Sequence, residues 1–115
     1  MENLFIAIDG GGTKTDLVLF DHSGNILKRV LTQGCNPNDF GWQHTEDVLR
    51  KALAVLMSGT SAEPEYLFAG ISGGTVGNNR EIMAQLMKRL VPSVKHVSNN
   101  SDTVNALSSG IGTVV

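Results

Sequence analysis

The stretch Ile8-Asp9-Gly10-Gly11-Gly12-Thr13-Lys14-Thr15-Asp16 decides the fold. Ahead of it, residues 3–8 (NLFIAI) form a short apolar run that ends at the turn-forming Asp9-Gly10-Gly11-Gly12, the pattern of a strand. Behind it, residues 15–21 (TDLVLFD) form a second such run, and the turn His22-Ser23-Gly24-Asn25 leads into a third at 26–32. Strands joined by connections this short can only pair antiparallel, so the chain opens with a three-stranded meander.

The period then changes. Val48, Leu49, Ala52, Leu53 and Leu56 recur at helical spacing, with Glu46, Asp47, Arg50 and Lys51 opposite, which predicts a helix over 45–57 closed by Gly59. Residues 66–71 (YLFAGI) read as a buried strand leading into Ser72-Gly73-Gly74. Asn78 with Glu81 three residues on has the form of a capping box. Ile82, Leu86 and Leu90 form the inner stripe of the helix that follows, and Pro92 stops it. A fifth strand is expected over 94–98, a short helix over 102–109, and the start of a further element at 112–115. The order β-β-β-α-β-α-β-α predicts an α/β domain: a five-stranded mixed sheet, the meander plus two parallel strands, with helices on its faces. Ligands of such sheets collect outside the carboxyl ends of the parallel strands.

Composition narrows the function. Nine Lys and Arg against eleven Asp and Glu leave a net charge of −2, which provides no electrostatic footprint for nucleic acid or an anionic membrane. The longest strictly apolar run, 52–57, is far short of the ~18 residues of a membrane span. Cys35 is the one cysteine, so there is no internal disulfide framework and a reducing compartment fits. A soluble cytoplasmic domain, without nucleic-acid or membrane partners, is the expectation. The chain stops inside a Val-Val strand start after Gly-Ile-Gly-Thr, so residues 1–115 are expected to be one domain from the N-terminal part of a longer protein.

Three places carry candidate chemistry. Consecutive glycines at 10–12 let backbone N–H groups approach an anion and line a concave nest for phosphate oxygens, to which Thr13 adds a hydroxyl and Lys14 a charge. Asp9 at the strand end is placed to hold a magnesium ion through water. The loop is neither a Walker A motif nor a dinucleotide fingerprint, since Lys14 does not follow a glycine and the G-x-G-x-x-G spacing fails at Thr15; the plain alternative is a glycine-rich hairpin. Asp102, beside Asn99, Asn100 and Ser101, offers a carboxylate able to take a proton from a substrate hydroxyl, or simply a helix cap. The turns 34–39 (GCNPND) and 72–75 (SGGT) present amides and hydroxyls suited to a polyol. His22, His44 and His96 share no ligand spacing with each other or with Cys35 and read as surface or packing residues. Trp42, beside Phe40, is expected to pack the first helix onto the sheet.

In this order the segments resemble the N-terminal half of the N-acetylglucosamine kinase group, related to the BadF/BadG/BcrA/BcrD ATPases within the sugar kinase, Hsp70 and actin superfamily. The resemblance rests on residues 8–16 continuing through 17–21 (LVLFD), on Gly34-Cys35-Asn36, on residues 69–74 (AGISGG) and on the approach to Asp102. It implies a ribonuclease H-like fold. It also implies that Gly10, Gly11, Gly12, Thr13 and Lys14 bind the phosphates of ATP and that Asp9 faces Mg2+. Asn36, Ser72, Gly73, Gly74 and Asp102 would bind a sugar, with Asp102 as the base. The implied function is phosphorylation of a sugar hydroxyl, on an amino sugar such as N-acetylglucosamine. Alternatives are an iron–sulfur ATPase that activates a dehydratase and, ranked lower, a sugar-sensing transcriptional regulator. In the implied fold ATP lies between two halves, so residues 1–115 alone are expected to lack kinase activity, to bind ATP weakly, and to self-associate as a homodimer.

Overall fold

The computed structural model describes residues 4–60, 63–71 and 78–98. Strand β1 (Leu4–Gly10) pairs antiparallel with β2 (Lys14–Asp21), which pairs antiparallel with β3 (Ile26–Gln33). A single turn, α1 (Pro37–Phe40), and the longer α2 (Trp42–Leu56) lead to β4 (Pro64–Ile71), parallel to β1; α3 (Asn79–Leu90) then leads to β5 (His96–Ser98), parallel to β4. The sheet order is β3-β2-β1-β4-β5. The expected mixed sheet and its meander are therefore present; the elements expected at 102–109 and 112–115 lie outside the described residues.

Two consecutive crossovers that move in the same direction along a sheet, with the same hand, place their helices on one face. Accordingly Leu4, Ile6, Ile8, Leu17, Leu19 and Leu67 join Val48, Leu49, Leu53 and Leu56 of α2 and Met83, Leu86 and Met87 of α3 in one continuous core. Strand alternation sends the intervening residues to the other face. There Ala7 and Val18 pack with Phe20 and Phe68, while Phe5 stacks between Phe20 and Tyr66 at centroid distances of 5.3 and 5.4 Å.

The helix boundaries differ from expectation for identifiable reasons. Gly41, at φ +85°, ends α1 and starts α2, so α2 begins at Trp42, three residues before the expected start. Trp42 packs against the core as expected, whereas Phe40 is exposed and lies instead over the His44 ring. On α3 the buried stripe is Met83, Leu86 and Met87, with Ile82 39% exposed. Apolar residues at 82, 83, 86, 87 and 90 span an arc wide enough for two stripes, and packing against the sheet selects one. Asn78 is itself helical (φ −81°, ψ −1°) and its side chain makes no cap bond, so the expected capping box is not formed.

Candidate functional site

Strands β1, β3, β4 and β5 all run the same way, so their carboxyl ends meet at one edge. The glycine loop 11–13 and the turn 34–36 leave β1 and β3 there, and β4 and β5 end at that edge with Ile71 and Ser98. Ser72, Gly73, Gly74 and Asp102 follow these two ends in sequence and lie outside the described residues.

The glycine loop is a tight hairpin closed by the Gly11 amide, which donates to the Lys14 carbonyl at 2.8 Å. That amide is committed, so the anion nest is narrower than three glycines imply. The amides of Gly12 and Thr13 make no hydrogen bond among the described residues, and Gly12, Thr13 and Lys14 are exposed. None of the three has a positive φ, and only at Gly10 does crowding exclude a side chain. A β-carbon on Gly10 would sit 2.9 Å from Cys35 Sγ, whereas one on Gly11 would meet only the Lys14 carbonyl oxygen at 3.6 Å.

The more demanding glycine is Gly34. A β-carbon there would lie 2.3 Å from the Gly12 carbonyl oxygen and 3.0 Å from that of Gly11. The end of β3 therefore rests directly on the glycine loop, and the Cys35 amide donates to the Gly11 carbonyl at 3.4 Å. Beneath it, the fully buried Thr15 hydroxyl donates to the Gln33 carbonyl at 2.8 Å and lies 3.1 Å from Cys35 Sγ. Burial pushes the Cys35 thiol above its ordinary value, with the Thr15 hydroxyl acting in the opposite direction. From α2, Thr45 donates to the Cys35 carbonyl at 2.8 Å, and His44 Nε2 meets the Gly34 carbonyl at 3.1 Å.

Asn36 opens the turn above. Its Oδ1 accepts from the Asn38 amide at 2.9 Å and so caps α1. Nδ2, which makes no hydrogen bond among the described residues, is the donor it can offer a ligand. Asp39 follows, its Oδ2 3.6 Å from where a β-carbon on Gly12 would be, and Asn79 Nδ2 donates to Asn38 Oδ1 at 3.1 Å. Asp9 sits on β1 directly opposite Asp16 on β2. Like charges in that position repel. Arg29 relieves the pair by gripping Asp16 with both Nε (2.9 Å) and Nη2 (2.6 Å), an interaction that raises the guanidinium's own pKa through its hydrogen bonds and charge. Asp9 is left exposed and without a described protein partner, a hard oxygen donor of the kind magnesium accepts, directly or through water.

Among the described residues no group of three or more His, Cys, Asp and Glu is placed to hold a metal, and no helix is long and apolar enough to cross a membrane. An open hollow of about 650 Å³, walled by Leu53, Met57, Pro64, Leu90 and Val91, lies at the opposite edge of the sheet. Its apolar lining places none of the polar groups above. Asn36, Gly10, Gly11, Gly12, Thr13, Lys14 and Asp9 are brought together at the carboxyl edge. Gly34 as the closest contact, together with Thr45 and His44, is not foreseen by the sequence reading. His44 lacks metal-ligand spacing, and no sequence signal marks its contact with the Gly34 carbonyl.

No family model matches the chain, and no curated protein matches it. Solved structures do. A candidate N-acetylglucosamine kinase from Porphyromonas gingivalis is 21% identical with a TM-score of 0.67, the match covering 96% of this chain and 38% of that one. A second, from Chromobacterium violaceum, is 21% identical with a TM-score of 0.55, covering 96% and 39%. The chain thus spans about two fifths of the length of these structures. It has their fold, a ribonuclease H-like five-stranded mixed sheet with helices.

Proposed function

We propose that residues 1–115 form one wall of an ATP-dependent sugar kinase, which transfers the γ-phosphoryl group of ATP to a hydroxyl of an amino sugar such as N-acetylglucosamine. The observation that carries this reading is the seating of the Gly34–Asn36 turn on the glycine loop. This packing supports the reading because Asn36, two residues beyond Gly34, then starts its turn beside the loop whose Gly12 and Thr13 amides have no partner among the described residues. Phosphoryl transfer asks a protein mainly for positioning and charge neutralisation, and this edge supplies both. The Gly12 and Thr13 amides, Lys14 and the rest of the 10–14 loop hold the phosphates. Asp9 faces Mg2+, which neutralises charge on the transferring phosphoryl oxygens when bound. Asn36 Nδ2 donates to a sugar oxygen, with Ser72, Gly73 and Gly74 completing the acceptor site.

In the reaction the sugar oxygen bonds to the γ-phosphorus while the bond from that phosphorus to the bridging oxygen of ADP breaks; Asp102 takes the hydroxyl proton. Adenine and ribose need a second wall beyond these residues, so the chain alone is inactive. It pairs as a two-fold dimer and works in the cytoplasm, with Cys35 as a thiol. The dehydratase-activating ATPase is less favoured, because Cys35 is wholly buried under Gly10 and presents no thiolate to a cluster. The test is ADP release by the full-length protein with Mg-ATP, with and without N-acetylglucosamine and other amino sugars. Sugar-dependent release supports the kinase; release indifferent to every amino sugar overturns it.

A further inference from the structure

The first turn of α2 reaches the glycine loop at one remove. His44 Nε2 lies 3.1 Å from the Gly34 carbonyl oxygen, and the Thr45 hydroxyl donates to the Cys35 carbonyl at 2.8 Å. These are the residues that bear on the loop: Gly34 by a contact that excludes a β-carbon, Cys35 by its amide to the Gly11 carbonyl. A carbonyl acceptor requires His44 to present an N–H, so Nε2 carries the proton, as it does in both the Nε2–H tautomer and the imidazolium. Thr45 is fully buried, so no solvent replaces its hydroxyl, and the Cys35 carbonyl would lose its donor with it.

We propose that His44 and Thr45 are positioning residues for the glycine loop, holding the 34–35 segment so that the Gly12 and Thr13 amides are presented together to an anion. The proposal rests on reading that loop as a phosphate cradle. Two further contacts offer both residues a purely structural role. His44 also lies against the Phe40 ring, with centroids 4.7 Å apart and a 36° tilt, so ring packing alone would require its shape without any use for the N–H. Thr45 also donates toward the Gly41 carbonyl at 3.1 Å, which is the ordinary business of a residue in the first helical turn.

Paired variants separate positioning from packing. His44→Phe keeps the ring and loses the N–H; His44→Gln keeps an amide donor and loses the ring. Thr45→Val loses the hydroxyl; Thr45→Ser keeps it. The readouts are hydrogen exchange of the Gly11 and Cys35 amides, the midpoint of thermal unfolding, and Mg-ATP affinity of the full-length protein by titration calorimetry. A net hydrogen bond corresponds to roughly tenfold in an equilibrium. His44→Phe and Thr45→Val are therefore expected to exchange these two amides about tenfold faster and to bind Mg-ATP about tenfold more weakly, while His44→Gln and Thr45→Ser stay near the parent. His44→Phe indistinguishable from the parent, or His44→Gln as impaired as His44→Phe, overturns the proposal. Exchange needs no nucleotide, so a full-length parent protein that binds no Mg-ATP removes the phosphate reading alone, and the exchange rates still decide for or against positioning.

Discussion

Gly34 approaches Gly12 so closely that the smallest side chain on the first would be driven 2.3 Å from the carbonyl oxygen of the second. The partner atom is backbone in a closed hairpin, so it cannot swing aside as a flexible side chain would. Two loops separated by more than twenty residues are thereby fixed against each other without any side chain between them.

The first prediction follows from that contact. Gly34→Ala is expected to destabilise the chain by at least the ~1–3 kcal/mol typical of overpacking. Gly11→Ala, whose β-carbon meets the Lys14 carbonyl oxygen at an ordinary 3.6 Å, should fall within ~1 kcal/mol of the parent. Urea unfolding of the two variants measures the difference; equal stabilities would contradict the contact.

Asn36 has a structural role and a proposed functional one, and the two can be parted. Asp is as good an N-cap as Asn, so Asn36→Asp keeps the bond to the Asn38 amide while replacing the outward donor with an acceptor. Asn36→Ala loses both. The expected pattern is near-parent stability for Asn36→Asp and a loss of ~0.5–2 kcal/mol for Asn36→Ala, with weakened sugar binding in both. Sugar affinity retained by Asn36→Asp would reduce the residue to a cap.

Asp102→Asn in the full-length protein keeps the shape of the carboxylate and loses its ability to take a proton. Sugar binding should persist while turnover falls by ~10²–10⁴, the usual contribution of a general base. Turnover close to the parent's would leave Asp102 as a helix cap.

Cys35 gives a pH dependence with a definite sign. Its thiol is raised by burial, so the folded state holds the proton more tightly than the unfolded chain. The resulting stability is complete below the ordinary thiol value of ~8.5 and is lost as pH rises through the elevated one. Urea midpoints should therefore fall more steeply above that value in the parent than in Cys35→Ala, and a water-soluble thiol reagent at pH 8 should label Cys35 only after unfolding. Rapid labelling of the native chain would show that Cys35 is not sealed beneath Gly10.

The isolated chain tests the completeness of the site. As the proposed one wall of a cleft, it should bind Mg-ATP weakly at best, since buried small-molecule sites cover most of the ligand surface, and it should self-associate in light scattering. Micromolar affinity in a strict monomer would place the whole nucleotide site within 115 residues.

The meander and the glycine loop are legible in the sequence because both are local: alternating apolar runs and a turn written in consecutive residues. The same local signals place β4, although the 66–71 run misses the first residues of a strand that starts at Pro64. What cannot be read is set at long range. The choice of Met83 over Ile82 for the buried face depends on where α3 meets the sheet, and the need for glycine at 34 depends on a loop some twenty positions earlier. The turn around Pro37 reads as a polar loop, because a four-residue helix has too few positions to display a period. His44 and Thr45 carry no motif; only folding brings them to the carbonyls they hold.

The direction of the strands leaves the two edges of the sheet with unequal freedom. Everything proposed to touch a ligand leaves from the carboxyl edge, while the turn after β2 faces the other way and is held by the Asp21 carboxylate, which accepts from the Ser23 and Asn25 amides at 2.9 and 3.0 Å. Ser23 is exposed and its side chain stands outside every contact described above. A probe attached there, as a cysteine-linked fluorophore on a Cys35→Ala background, would report binding or assembly from the far side of the molecule without entering the chemistry it watches.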